Sequence, residues 1–372
     1  MKKVCILTSA HSALDDRIFY KEAVTLAKSG YDVKLIAQHN TNEVVEGVKI
    51  IALPKPKNRL ERITKIQWQL FKLALREKAD IYHFHDPELI LVVLLLKFFT
   101  KGKVIYDVHE HYPNAILDKY WIPRFLRKII SKLFTLIEKI LVPCLDYVIY
   151  TTPIVGERYK KMRVATERIE NYPLLSLISY NENRQKYIVY LGGMNKIRGI
   201  LELLEAFNLV IKKHHDWKLY LIGKIESENF TKELDKLISK LNIKKHIKLI
   251  PQIPYKEKEK YSSQASIGIV TYLPFANNIS CLPNKMFDYM LVGLPVVASN
   301  FLLYKEIIEG NNCGICVDPT NPREIAKAIE YLIEHPEEAK KMGENGRRAV
   351  LEKYNWENES KKLLGIYEKI LK

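Results

Sequence analysis

The 372 residues contain no apolar run long enough to cross a bilayer, which takes ~20 residues. The most apolar stretch, Leu89–Leu96 with Phe98 and Phe99, is interrupted by Lys97. Met1-Lys2-Lys3 leads straight into a strand-like segment, Val4–Thr8, without the signature of a signal peptide, so a cytoplasmic protein is expected. Cysteine is sparse: five residues, an odd number at scattered positions, exclude a disulfide framework. Cys313-Gly-Ile-Cys316 has redox-motif spacing but lies in a strand-like run ending Val317-Asp318-Pro319 instead of opening a helix. Two buried small residues are the expected reading, and a lone pair makes no zinc site. The loop after the first strand, Ser9 to Arg17, lacks the glycine fingerprint of dinucleotide enzymes, which disfavours a dehydrogenase. Acidic residues are also in short supply, 43 against 59 Lys and Arg, for a net charge of +16. More than half of that excess falls in residues 1–180. Such a field attracts phosphates, anionic lipid or nucleic acid, and charge alone does not choose among them.

The chain alternates strands and helices throughout, which predicts two α/β domains with parallel sheets. Strands are expected near 3–8, 32–37, 47–53, 80–85, 103–108, 147–151 and 165–170. Asn171-Tyr-Pro173 and the polar run to Lys186 interrupt this pattern, giving domain 1–172 and linker 173–186. The alternation restarts over 187–354, and a terminal helical stretch covers 355–372. Two such doubly wound domains would place ligands in a cleft at the carboxyl ends of their strands.

The most informative stretch is Cys281 to Ser299. Pro283 opens a helix, Lys285 and Asp288 follow three residues apart, and Gly293 with Pro295 turns the chain into a β-branched strand. A helix N-terminus aimed at an anion results, with Asn284 and Lys285 amides as donors and Lys285 beside Asp288. Near the start of the same domain, Gly192-Gly193 followed by Arg198-Gly199 lets backbone and one cation approach an anion.

In the N-terminal half, Tyr82-His83-Phe84-His85-Asp86-Pro87-Glu88 ends one strand and Tyr106-Asp107-Val108-His109-Glu110-His111 ends the next. In a parallel sheet both clusters share an edge. His83, His85, His109 and His111 could in principle supply nitrogen ligands, but the pattern gives no sign of the outer partners that a metal site needs.

These motifs, in this order, resemble retaining glycosyltransferases of family 4, which have the GT-B fold of two Rossmann-like domains. The resemblance rests on Asp16-Arg17-Ile-Phe, His85-Asp86-Pro87, Asp107-Val-His109-Glu, Gly192-Gly193 with Arg198-Gly199, and Pro283-Asn-Lys285 with Asp288-Tyr-Met and Gly293-Leu-Pro-Val. It also includes the closing Gly346-Arg and Tyr354-Asn-Trp356. It implies that Arg198 and Lys285 hold the donor diphosphate, that Asp288 holds the ribose, and that His109 lies by the transferred sugar. Asp16, Arg17 and His85 are implied on the acceptor side. Relatives place an acidic residue eight positions before Asp288, whereas Ser280 stands here, and Gly193 occupies the place of an arginine. The chain contains no Asp-x-Asp triplet, the motif with which the other large glycosyltransferase class holds a divalent ion. A metal-independent enzyme without cofactor is therefore expected. The resemblance further implies that the last helix returns to the first domain.

Residues 124–142 form a basic amphipathic segment, with Tyr120 and Trp121 upstream. Residues 133–142 are expected to cover the sheet with a solvated basic face, and 116–132 to dock on anionic lipid.

The reading is a retaining hexosyltransferase that moves a sugar from a nucleotide-diphosphate donor, uridine-linked on family frequency, to a glycan or lipid-linked glycan in surface polysaccharide synthesis. Retention is compatible with attack on the leaving-group face and with an enzyme nucleophile. A nucleotide-sugar epimerase of the same fold is the first alternative. A basic nucleic-acid-binding protein is the second, although no recognition module supports it and nucleic acid is not an expected partner.

Overall fold

The computed structural model describes residues 1–119, 122–177, 181, 183–254 and 257–372. Tyr120 and Trp121, and residues 178–180 and 182 of the expected linker, lie outside the described residues. Two compact units are present, one of Met1–Asn171 with Trp356–Lys372 and one of Tyr172–Asn355.

The N-terminal unit is built on eight strands. They are β1 (Lys3–Ser12), β2 (Asp32–Gln38), β3 (Glu43–Val45), β4 (Val48–Leu53), β5 (Ile81–Phe84), β6 (Lys103–Val108), β7 (Tyr147–Tyr150) and β8 (Ala165–Arg168). Their spatial order is β3-β4-β2-β1-β5-β6-β7-β8, and every pairing is parallel except that of β3 with β4. The central strands are apolar on both faces, as a sheet covered by helices on each side requires: Ile81, Tyr82, His83 and Phe84 of β5 are all buried.

The C-terminal unit contains β9 (Tyr187–Leu191), β10 (Lys218–Ile222), β11 (Ile247–Ile250), β12 (Ile267–Val270), β13 (Val296–Ser299) and β14 (Gly314–Val317). They form an all-parallel sheet in the order β11-β10-β9-β12-β13-β14. Strand order reverses between β9 and β12 here, and between β1 and β5 in the other unit. In open parallel sheets such reversals leave a crevice at the carboxyl ends of the strands, where ligands bind. Both candidate clusters of polar residues lie at these two positions.

The division falls at Asn171, so that the described residues of the expected linker 173–186 belong to the C-terminal unit. Arg184 donates to the carbonyls of Ser263 and Val292 at 2.6 and 2.5 Å, which fastens residue 184 to the C-terminal unit. The final helix, Trp356–Leu371, belongs to the N-terminal unit. Trp356 is buried and its indole donates to Thr25 Oγ1 at 2.9 Å, while Glu359 accepts from the Glu170 amide at 2.9 Å. Further along, the Tyr367 hydroxyl meets His83 Nδ1 at 2.8 Å. The Cys313 and Cys316 thiols are both pushed up to about 12, chiefly by burial, which leaves no reactive thiolate at that spacing.

One expectation is overturned. The helix Arg124–Leu141 does not cover the sheet with its apolar side: Leu133, Leu136, Ile137 and Ile140 are exposed, and the residues it buries are Ser131 and Glu138. Glu138 pairs with Arg158 and the Tyr159 hydroxyl, so a polar stripe on this helix satisfies polar partners inside.

Trp356→Ala removes a large buried side chain and its hydrogen bond. Denaturant unfolding should show the N-terminal unit destabilised by about 3–5 kcal/mol.

Candidate functional site

At the strand reversal of the C-terminal unit, β9 runs into Gly192-Gly193. Gly192 has φ +126°, a backbone conformation that L side chains rarely adopt, and a Cβ there would stand 3.2 Å from Lys285 Nζ, a tight contact that glycine avoids. The next turn is a 3₁₀ segment, Lys196–Arg198, capped by the Asn195 side chain on the Arg198 amide at 3.1 Å. Gly199 ends it at φ +68°, where a Cβ would fall 1.9 Å from the Thr271 carbonyl. The Arg198-Gly199 pair is therefore one device: the glycine fits the turn against the end of β12 and thereby aims the arginine.

Lys285 lies in the first turn of the helix Asn284–Leu291, with Pro283 as its N-cap residue. The amides of Asn284 and Lys285 precede the Met286 amide, which bonds the Pro283 carbonyl at 3.0 Å. First-turn amides have no partner within their own helix and carry the positive end of its dipole. The Lys285 ammonium stands 3.4 Å from the ring centre of Tyr190 and 5.1 Å from that of Tyr272. The Arg198 guanidinium stacks on the same Tyr272 at 4.2 Å. Two cations thus share one aromatic ring.

Lys285 is buried, and its Nζ has no hydrogen-bond partner among the described residues. Burial first, then the charges of Arg198 and Lys258, push its pKa well below the ordinary 10.5, with Asp288 acting the other way. Asp288 is half-buried one turn along the helix. Ser280, in the place of the family's other acidic residue, turns back on its own helix and donates to the Ala276 carbonyl at 2.9 Å.

Beside this cluster is a cavity of about 500 Å³ at the carboxyl ends of β9, β10 and β11. Its lining includes Met194, Gly223, Ile225, Ile250, Pro251 and Gln252. Sequence reasoning did not pick out these residues or the tyrosines at 190 and 272. They are ordinary strand-end residues whose meaning comes only from what the sheet places next to them.

The N-terminal unit holds a second polar cluster, at the β1–β5 reversal. A π-helical stretch, Asp16–Ala23, begins with its N-cap Asp15 accepting from the Arg17 and Ile18 amides. Its wider turn brings Arg17 and Glu22, five apart, toward one side. Arg17 is not at the surface as the acceptor role required. It is buried, with Nη2 donating to Asp107 at 2.8 Å and to the Ile169 carbonyl at 3.2 Å and Nε 2.8 Å from Glu22. His85 is buried as well, so neither residue offers a surface to an acceptor; Asp16 remains partly exposed, near Lys21.

The charge balance within this cluster is legible. Burial alone would raise the Asp107 carboxyl, but Arg17 and then His109 hold it well below the usual carboxylate range. Glu22 goes the other way, raised well above its ordinary value by burial and by Asp107. Burial lowers His83 to about 4 and His85 well below 6.5. One guanidinium, one carboxylate and neutral neighbours are what such a dry interior can hold.

Ligand atoms of Glu22, His83, His85 and Asp107 all lie within 4.8 Å of one another, a donor set of the kind that divalent ions accept. Arg17 already contacts both carboxylates, supplying a positive charge there. The four histidines of the two motifs do not converge as a set. His111 instead caps the helix Tyr112–Asp118, accepting from the Asn114 amide at 3.2 Å. His109 is the partly exposed member, its Nε2 3.1 Å from His85 Nδ1 and 3.5 Å from Asp107. Asp86 binds the end of β1 by accepting from the amides of Ser9 and Ala10 at 2.5 and 3.1 Å.

Two families match the chain in succession: residues 17–171 match "Glycosyltransferase Family 4" and residues 178–349 match "Glycosyl transferases group 1". An uncharacterized glycosyltransferase of Haemophilus influenzae is 24% identical over 93% of this chain and 95% of its own length. Spore coat protein SA of Bacillus subtilis is 26% identical over 50% of the chain, and that match spans 49% of the Bacillus protein. Among solved structures, the sucrose-phosphate synthase of Thermosynechococcus elongatus superposes with a TM-score of 0.81 at 18% identity, covering 100% of this chain and 99% of that one. Anabaena HepE, solved in complex with UDP and glucose, gives 0.75 at 12% identity, covering 99% and 100%. The similarity of these structures establishes the GT-B fold.

Because a depressed lysine pKa means that the unfolded chain binds the proton more tightly, Lys285 lowers stability at any pH below 10.5, and stability should rise as pH climbs toward that value. Lys285→Met should therefore stabilise the ligand-free protein at neutral pH. It should also abolish this part of the rise with pH, as measured by denaturant unfolding across a pH series.

Proposed function

We propose that this chain, whose residues 17–171 and 178–349 match a family 4 and a group 1 glycosyltransferase domain, is a retaining hexosyltransferase of GT-B type using a nucleotide-diphosphate sugar. The observation that carries this reading is the pair of cations, Arg198 and Lys285, on the ring of Tyr272 at the mouth of the glycine turn. In the unliganded protein this arrangement is costly, and a diphosphate relieves it. Two phosphates bring the counter-charge, accept hydrogen bonds from Arg198, Lys285 and the amides of Asn284 and Lys285, and favour the charged form of the lysine that burial disfavours.

In this reading the bond between the anomeric carbon and the diphosphate oxygen breaks as a hydroxyl of the acceptor bonds to the same carbon, and the hydroxyl proton passes to the departing diphosphate oxygen. Negative charge grows on the departing nucleotide, where fixed cations and helix amides are worth most. Asp288 takes the ribose hydroxyls. The cavity beside the glycine turn, with its apolar walls and exposed strand-end backbone, takes the base. Uridine is the proposed base, in keeping with HepE, whose solved complexes contain UDP. His109, partly exposed and backed by Asp107 and His85, is proposed to contact the transferred sugar. Asp16 is the acceptor-side residue still offered to solvent. The acceptor is proposed to be a glycan or lipid-linked glycan, and no metal ion is assigned a role.

Three measurements test these assignments. Arg198→Ala with Lys285→Ala should reduce kcat with a uridine-diphosphate sugar by at least about a thousandfold, since each electrostatic donor contributes about 10²–10³. Unchanged turnover would remove the phosphate roles. Product analysis separates transfer from epimerisation: glycosylated acceptor is expected, and a free epimer of the donor would favour the epimerase. His109→Ala should lower kcat while leaving the affinity for the bare nucleoside diphosphate unchanged, because that ligand lacks the sugar.

A further inference from the structure

The helix Arg124–Leu141 is inside-out. Phe125, Ile129, Leu133, Leu136 and Ile140, spaced by four, four, three and four residues, form one continuous stripe, and all are exposed; Phe125 is 74% exposed. A helix on a soluble protein normally turns such a stripe inward. Here the inward positions are polar, with Ser131 donating to the Pro113 carbonyl at 2.9 Å and Glu138 held by Arg158 and Tyr159. The helix is anchored by its polar side, and its apolar side is left without a partner among the described residues.

The surroundings of the stripe are cationic. Lys128, Lys132 and Lys139 are exposed on the same helix, and its one acidic residue is buried. Beside it lies a cavity of about 670 Å³, lined by Thr135 and Lys139 of the helix and by Arg158, Lys161 and Arg163. Glu138 compensates Arg158 alone. The neighbouring helix, Ile90–Thr100, adds Leu91, Leu95 and Phe98, the last 79% exposed, and Lys97 donates to the Cys144 carbonyl at 2.9 Å, just past the end of Arg124–Leu141. Both helices connect adjacent parallel strands, β5 to β6 and β6 to β7. Right-handed crossovers put them on one face of the sheet, with their exposed stripes facing away from it.

We propose that this face docks on an anionic lipid bilayer, with the apolar stripes in the acyl boundary and the basic cavity around a lipid phosphate. The charge pattern selects this occupant over a second copy of the chain. In a two-fold contact the lysines beside the stripe would face their own copies, and protein interfaces exclude lysine from their cores. An interfacial helix has the combination seen here, aliphatic and aromatic side chains flanked by lysines that reach the headgroups. No helix among the described residues is long and apolar enough to cross a membrane, so the contact is one of attachment to the surface. The face also extends beyond residues 116–132, to Ile140 and across to Phe98. This inference stands apart from the transferase reading, because attachment requires neither donor nor acceptor.

Flotation of the full chain with vesicles tests it. Vesicles of phosphatidylcholine mixed with phosphatidylglycerol should carry the protein upward in a salt-sensitive manner, and pure phosphatidylcholine should not. Reversing Lys132, Lys139 and Lys161 together to Glu should weaken partitioning by roughly a hundredfold or more, and Leu133→Ser with Leu136→Ser by roughly tenfold. All five positions are exposed or line the cavity rim, so both variants should retain the wild-type melting temperature. Equal flotation with neutral vesicles, or undiminished flotation of both variants, would overturn the proposal. So would a dimer in light scattering that the Leu133→Ser, Leu136→Ser variant dissolves, because a second copy would then be the occupant.

Discussion

A lysine ammonium carried into a buried place without a hydrogen-bond partner among the described residues is the constraint on which the C-terminal unit is built. The Lys285 cation rests between the faces of Tyr190 and Tyr272, against a glycine that has no Cβ to obstruct it. Aromatic faces stabilise a desolvated cation by about 2 kcal/mol or more, well short of the several kcal/mol lost on leaving water. The shortfall appears as a depressed pKa, worsened by Arg198 on the same ring. A site so poor in negative charge is unfavourable empty and favourable around an anion. Position reinforces this, since the pair lies where strand order reverses between β9 and β12, with first-turn helix amides and a cavity at the same strand ends.

The N-terminal unit solves the opposite problem. Its strand reversal is filled by the protein's own groups: Arg17 neutralises Asp107, while burial shifts Glu22, His83 and His85 toward their neutral forms. The last helix closes this cluster through Tyr367, so the C-terminal tail takes part in the polar interior of the first unit. His109 is the outward end of a filled network. The network holds its ring in place and leaves it accessible.

Much of this was legible in the sequence, and the reasons are local. Pro283, Lys285 and Gly199 impose their geometry on their neighbours, so the helix start, the cation and the aimed arginine could be read from spacing alone. The alternation of strands gave two wound units and placed the boundary near Asn171. Tyr190 and Tyr272 were not legible, because their role depends on β9 and β12 lying side by side, a long-range pairing. Arg17 was misplaced for a related reason. A charged residue in a loop motif looks exposed until the buried carboxylates of Asp107 and Glu22 are known to meet it. The helix Arg124–Leu141 was read with its faces reversed, since amphipathicity shows that two faces exist and only the partners decide which turns inward. Ser131 and Glu138 found polar partners inside, and that settled it.

The two units therefore differ in how they treat charge: one has completed its own balance, and the other leaves a deficit for a ligand to fill. Calorimetric titration with UDP and with uridine, each in buffers of different ionisation enthalpy, measures that deficit directly. UDP should bind at least about a hundredfold more tightly than uridine, as expected for two or more charge-assisted hydrogen bonds. Its binding should raise the depressed pKa of Lys285, so proton uptake should appear as the pH of the titration is raised toward 10.5. Equal affinities for the two ligands, or proton uptake that stays absent as the pH is raised to 10.5, would contradict a diphosphate held by Arg198 and Lys285.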